Sequence, residues 1–232
     1  MENSFLKPPV PAKSKREIVY EQLKEMIVRN QFPENMLLVE RHLCEQLDAS
    51  RTPIREAIQQ LTNEDLVTCI PGKGAFVSEI RYEDIIQIFD VRDYLERLAG
   101  RLCISEMLPE ELMRLEIISV QMDTYLRAQD ILNYYQEDLA FHKHMVFCSR
   151  NRYLIRNYTA LLAQIERITH LVIRSSLSQL EEIHAYHAQI VQMLKTRDPE
   201  GIETVISIHT QACKSKYLQI LSPSIYQASL PK

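Results

Sequence analysis

Apolar residues recur at helical spacing along most of the chain. Residues 15–30 place Ile18, Val19, Leu23, Met26 and Ile27 on one inner face, and "NQFPEN" breaks that helix. A short helix follows in "ERHLCEQL", anchored by Leu43 and Leu47. After the turn "DAS", Ile54, Ala57, Ile58 and Leu61 form a single stripe, which predicts a third helix ending near Asn63. Ser50 suits its N-cap, with a hydroxyl able to take an orphan amide, and Pro53 sits in the first turn, where a missing N–H costs nothing. Then the pattern changes. "LVTCIPGKGAFVSEI" has β-branched and apolar runs on either side of a "PGKG" turn, which predicts a small hairpin. Helix, helix, turn, helix, hairpin is the order of a winged helix-turn-helix, whose third helix would enter a DNA major groove.

From Arg81 onward no convincing strand is found. Helices are predicted at roughly 83–107, 109–128, 131–149, 151–174, 178–196 and 199–221, with Pro109 and Pro199 in first turns and Asp130, Ser178 and Asp198 as caps. Six long helices with short links predict an antiparallel bundle. The fold class is therefore mostly α: a winged helix-turn-helix domain over residues 15–80 and a six-helix bundle over residues 81–222. A Pro-rich, extended arm (1–14) precedes them and a short tail (223–232) follows.

Composition changes this picture little. The chain has 232 residues, 46% hydrophobic and 25% charged, with only 4 Gly and no Trp, as expected of a helical globular protein. No apolar run is long enough for a signal peptide or a membrane span, so a cytoplasmic location away from membranes is expected. The scattered Cys44, Cys69, Cys103, Cys148 and Cys213 fit reduced thiols better than a thiol switch. The net charge of −4 restricts any nucleic-acid surface to a focused patch.

The polar arc of the third helix supplies such a patch. Arg51, Thr52, Arg55 and Gln59 share one exposed side. Arginine forks onto guanine or phosphate, and Ser50 and Thr52 at a helix N-terminus suit phosphate oxygens. The plainer reading makes the arc a solvated face, with Arg55 paired to Glu56 or Gln59. The block "SRTPIREAIQQL", within residues 16–79, resembles the N-terminal domain of the GntR family of bacterial transcriptional regulators. That resemblance implies operator contacts from Arg41, Ser50, Arg51, Thr52 and Arg55, with Gly72 and Lys73 at the wing tip reaching the minor groove. Val39, Asn35 and Asp65 depart from the family pattern, which usually has Ser, often Gly, and Gly there.

The bundle raises a second question. Asp138 and His142 share one helix face, amid Ile131, Tyr134, Tyr135 and Met145. His187 sits among Ile183, Ile190, Val191 and Leu194, with His184 at the edge of the stripe, and His209 among Ile202, Val205, Ile206 and Cys213. Each alone reads as a hydrogen-bonded core residue. Together, one carboxylate and three imidazoles aimed into an apolar core suit a divalent transition metal such as Zn or Ni. The bundle also resembles the FCD effector domain of the FadR subfamily, over about residues 82–218. Its metal-binding branch carries Asp-x-x-x-His and two later histidines, which implies Asp138, His142, His187 and His209 as ligands. Six helices rather than seven place it nearer the VanR-type branch. Arg92 points inward too. It reads either as an ion pair with Glu96 or, by the same resemblance, as the residue that faces the pocket and holds a small carboxylate effector beside the metal.

These readings converge on a dimeric, ligand-responsive regulator binding a palindromic double-stranded DNA operator, since one winged domain reads only a half-site. The alternatives are a metal-dependent hydrolase with an accessory winged domain, for which no general base is placed, and a helical interaction module, which leaves both clusters unexplained.

Overall fold

In the computed structural model, which describes residues 13–172 and 180–221, the first compact unit holds residues 13–27 and 31–79. Its elements are α1 (Lys15–Val28), α2 (Glu40–Gln46), α3 (Arg51–Asn63), β1 (Val67–Ile70) and β2 (Gly74–Val77). The inner face of α1 is narrower than its periodicity suggests. Val19, Leu23 and Ile27 are fully buried, whereas Ile18 is exposed. On α3 all four stripe residues, Ile54, Ala57, Ile58 and Leu61, are buried. The far end of α3 is pinned from α1. Tyr20 donates to Glu64 Oε1 at 2.6 Å and Lys24 donates to Glu64 Oε2 at 2.6 Å, and Glu64 is the C-cap of α3.

The wing pairs β1 and β2 antiparallel, from Val67↔Val77 to Ile70↔Gly74, and Leu37 adds a bridge to Phe76. Gly74 is required there. Its φ of +113° is one that L side chains rarely adopt, and a Cβ would lie 3.0 Å from Leu37 Cδ1. Asn35 (φ 62°) and Asp65 (φ 57°), the two departures from glycine, both adopt the left-handed conformation. Asn and Asp tolerate it better than other L-residues, so the turns survive the substitutions.

The second unit takes residues 28–30 and the chain from Ile80. It contains α4 (Tyr82–Glu106), α5 (Pro109–Arg127), α6 (Ile131–Cys148), α7 (Arg152–Val172), α8 (Leu180–Thr196) and α9 (Pro199–Ile220). Pro109 and Pro199 open α5 and α9. Asp130 and Asp198 cap α6 and α9 through the amides of Asn133 and Gly201. The predicted cap Ser178, most of the arm and the tail lie outside the described residues. Helices α4 and α9 pack with little space between them: a Cβ on Gly100 would meet Ile206 Cδ1 at 2.5 Å. Edge-on contact of Phe89 with Tyr217, 5.3 Å between ring centroids, and a 2.6 Å bond from Thr210 to Asp93 continue that seam. The core of this unit therefore mixes apolar side chains with buried polar ones, among them Arg92, Glu96, Asp138 and His142.

Candidate nucleic-acid interface and metal centre

The arc on α3 is open. Ser50, Arg51, Thr52, Arg55 and Gln59 are exposed, as are Arg41 on α2 and Gly72 and Lys73 in the wing turn. Ser50 is the N-cap by backbone, but its side chain accepts no amide, leaving its hydroxyl free of the capping role expected of it. Gly72 adopts φ +75°, and the amide of Lys73 bonds the carbonyl of Ile70, which tightens the wing tip. Arg55 does have an acidic partner, but neither expected one. Its Nε donates to both oxygens of Glu40, at 2.8 and 2.9 Å, so the first residue of α2 holds the guanidinium against α3. Glu56 instead meets Arg16, and Gln59 meets Asn63. Arg41 lies 3.6 Å from Glu45. Among the described residues, the carboxylates that meet these cations are the half-buried Glu40 and the exposed Glu45.

The second cluster lies in the interior of the bundle. Asp138, His142, His187 and His209 come from α6, α8 and α9, are all buried, and bring one ligand atom each to within 4.8 Å of the others. Nε2 of His142 lies 3.2 Å from Nε2 of His187 and 3.1 Å from Nε2 of His209. Oδ1 of Asp138 lies 3.0 Å from His187 Nε2 and 3.8 Å from His142 Nε2.

The outer nitrogens show why the inner ones point this way. His187 Nδ1 lies 3.1 Å from the carbonyl of His184, a contact only a protonated Nδ1 can make. His142 Nδ1 lies 2.9 Å from Glu96 Oε2, within ion-pair distance although out of line for a hydrogen bond. Each imidazole thereby directs Nε2 into the cluster, as carboxylate and carbonyl partners do for histidine metal ligands. Burial, then the charges of His187 and His142, hold the His209 pKa well below its usual 6.5. Burial alone would raise the Asp138 carboxyl, but the neighbouring His187 and His142 side chains bring it down to about 2.

Glu96 is the residue that sequence reasoning undervalued. It is fully buried on α4, and its Oε1 accepts from Arg92 Nε at 2.7 Å and from the Tyr158 hydroxyl at 2.8 Å. Burial opposes its ionisation, yet Arg92 and His142 hold its pKa well below the usual carboxylate range. The i, i+4 spacing from Arg92 was visible in the sequence. The approach of His142, which depends on how α4 meets α6, was not. Arg92 makes the ion pair read as the plainer option, but its Nη2 has no partner. The hydroxyl of Tyr134 is likewise buried and unpartnered.

Comparison with known proteins bears on both clusters. Residues 15–77 match the bacterial regulatory proteins of the gntR family, and residues 87–212 match the FCD domain. The Nta operon transcriptional regulator of Aminobacter aminovorans is 25% identical over 86% of this chain and 93% of its own. A probable D-xylose utilization operon transcriptional repressor of Paenarthrobacter nicotinovorans is 27% identical over 85% and 88%. The gluconate operon transcriptional repressor of Bacillus licheniformis is 25% identical over 76% and 74%. Among solved structures, E. coli McbR/YncC superposes with a TM-score of 0.78 at 20% identity, covering 90% of this chain and 99% of that one, a likeness of fold alone.

Proposed function

The chain belongs to the GntR family of bacterial regulatory proteins and carries an FCD domain, and we propose that it acts as a dimeric, effector-responsive member of the FadR subfamily with a divalent transition metal in its bundle. It is a DNA-binding transcriptional regulator and not an enzyme, which sets the hydrolase reading aside. No described helix is long and apolar enough to cross a membrane.

The observation that carries the metal is the crowding of acceptors at the centre of the cluster. Three short contacts link Nε2 and carboxylate atoms that share no obvious set of protons. A proton satisfies one such contact. A cation with imidazole and carboxylate ligands satisfies all of them, and Zn or Ni suits that donor set. Asp138, His142, His187 and His209 would hold it, with Glu96 and the His184 carbonyl orienting two of the rings. The metal's chemistry here is binding: it offers a positive charge to a small organic acid, and the free Nη2 of Arg92 offers a second donor to the same carboxylate. One relative is a gluconate operon repressor, and gluconate is itself such an acid.

On the other unit, Arg51 and Arg55 read the major groove, Ser50, Thr52 and Arg41 take phosphates, and Gly72 and Lys73 approach the minor groove. A two-fold dimer matches a palindrome of two half-sites. The effector would act by binding one arrangement of the bundle more tightly than another. Elemental analysis of protein purified without chelator tests the centre. One equivalent of a transition metal per chain, and a thermal shift on re-adding Zn or Ni after chelation, are expected. Metal-free protein with no shift would reduce the cluster to buried histidines. Operator selection from random duplexes, repeated with organic acids present, tests the rest.

A further inference from the structure

Two turns beyond His209 on α9, one charged group has no explanation in the metal centre. His209, Cys213 and Lys216 follow one another at spacings of four and three, so they share a face of the helix. Lys216 is 5% exposed, and its Nζ has no hydrogen-bond partner. A buried, unpaired ammonium is expensive, and burial accordingly pushes its pKa down. Other donors of the same region are equally idle. Arg92 Nη2 and the Tyr134 hydroxyl are buried and unpartnered. Cys213 joins the groups, with Sγ 3.7 Å from His209 Nε2 and its thiol in the field of both Arg92 and Lys216. The region therefore holds two cationic side chains with unused donors and a phenol with no acceptor, next to a cluster built for a metal. Its two carboxylates are engaged elsewhere, Glu96 by Arg92 and Tyr158 and Asp138 beside His187, and neither bonds Lys216.

Seven residues separate Lys216 from His209, about 10 Å along a helix axis. Helical side chains lean toward the N-terminus, which brings Nζ part of the way back. Resting on the effector reading above, we infer that the effector is a dicarboxylic acid, one carboxylate meeting the metal and Arg92 and the other meeting Lys216. The remaining separation fits a backbone of roughly four to six carbons. A monocarboxylate would leave the ammonium as it is, buried and unpaired; the second carboxylate removes that cost, and the difference is the selectivity.

The test uses the full-length, nickel-loaded protein and matched pairs of acids: butyrate with succinate, valerate with glutarate, hexanoate with adipate. Calorimetric titration is expected to give at least one diacid an affinity about tenfold or more above its partner, the scale of a charge-assisted hydrogen bond. Lys216→Met should bring that pair to within about threefold while leaving nickel binding intact, and Lys216→Arg should keep the diacid preference. Lys216→Gln serves in place of Lys216→Met if the latter does not fold. Equal affinities across every pair in the wild type, or an undiminished preference in the neutral variants, would overturn the assignment of Lys216 while leaving a monocarboxylate effector standing. If nickel binds but none of the acids does, the carboxylate reading itself fails, and the dicarboxylate with it.

Discussion

Two arginine–glutamate pairs in this protein are alike on paper and opposite in use. In the winged unit Arg55 meets Glu40 at 2.8 Å with 64% and 36% of the two side chains exposed. In the bundle Arg92 meets Glu96 at 2.7 Å with 2% and 0% exposed. An exposed pair is worth little and exchanges partners readily, so a phosphate or a base edge can take Arg55 from Glu40. A buried pair cannot exchange, because either charge left alone in the interior is costly. Arg92–Glu96 therefore fixes a geometry, and it sets the second oxygen of Glu96 2.9 Å from His142 Nδ1. One pair leaves a cation at the surface, able to change partner. The other holds a carboxylate against an imidazole.

The largest consequence of this contrast falls on Glu96. Glu96→Ala leaves Arg92 buried without its partner and removes the acceptor of Tyr158, so a loss of about 3–5 kcal/mol of unfolding free energy is expected. Glu96→Gln, which keeps an acceptor of the same shape, should cost visibly less. Urea denaturation of the two variants decides it. A loss in Glu96→Ala no larger than that of a surface substitution would erase the distinction between the pairs.

Metal comes next. An ion bound only by the folded state at a hundred times its Kd adds about 2.7 kcal/mol, which chelation should remove. His187→Ala should reproduce most of that loss and abolish the response to added metal, because no other side chain replaces its Nε2. His184→Ala should do neither, since His184 serves His187 through its backbone carbonyl, which alanine retains. Thermal melts of the three proteins with and without Zn or Ni separate the roles; equal responses in both alanine variants would show that the cluster is not the ligand set.

That assignment also marks how far the sequence could be read. The helix-turn-helix order, the wing and the polar arc of α3 were legible because each depends on local spacing: a stripe of apolar residues, a cap, a turn. The convergence of Asp138 and His142 with His187 and His209 was legible in outline, since an inward position on a bundle helix is also a matter of spacing. Partners across elements were not. Nothing in the spacing says that Glu40, fifteen residues away, holds Arg55, that Glu96 reaches α6, or that Lys216 is stranded. Ile18 went wrong for the same reason: it is apolar and in phase, but what covers a helix face depends on the neighbouring element. Ser50 sits where a cap belongs, yet its hydroxyl makes no capping bond, a detail decided by side-chain rotation.

On the DNA side the expected effects are smaller for stability and larger for binding. Arg51→Ala or Arg55→Ala should weaken specific operator binding by about tenfold to a hundredfold, with the fold unchanged, as measured by fluorescence anisotropy on a selected operator. The affinity should also fall steeply with salt. If neither substitution matters, α3 does not read the groove.

Acid should discriminate the units as well. With metal chelated, His209 stays neutral in the folded bundle because burial and neighbouring histidines lower its pKa. Below the ordinary histidine pKa of 6.5 the unfolded chain takes up a proton that the folded chain refuses. Stability from this group is therefore complete above pH 6.5 and is lost as pH falls below it, by about 1.4 kcal/mol per pH unit. His184 and His170, also lowered chiefly by burial, add to the slope. Asp138, lowered to about 2, contributes a loss only once pH drops below its ordinary 3.8. Melts between pH 7.5 and 5 should thus fall in the wild type and less steeply in His209→Gln; parallel slopes would mean that His209 is not held neutral.

The smallest expected effect belongs to Glu40, and it tests the comparison from its other side. Glu40→Gln removes the carboxylate that grips Arg55 while keeping the side chain's size. Thermal stability should barely move, since exposed pairs contribute little. Binding should change in a particular way. A carboxylate beside the groove repels every phosphate equally, so its loss tightens non-specific binding, by roughly threefold at low salt. Specific binding should gain less, because Glu40 also holds the guanidinium in place before the operator arrives, and the variant must order it on binding. The ratio of specific to non-specific affinity should therefore fall even as both affinities rise. A ratio that stays constant would leave Glu40 as a mere counter-charge. A large loss of stability would mean that the exposed pair behaves like the buried one, and that exposure does not separate the two.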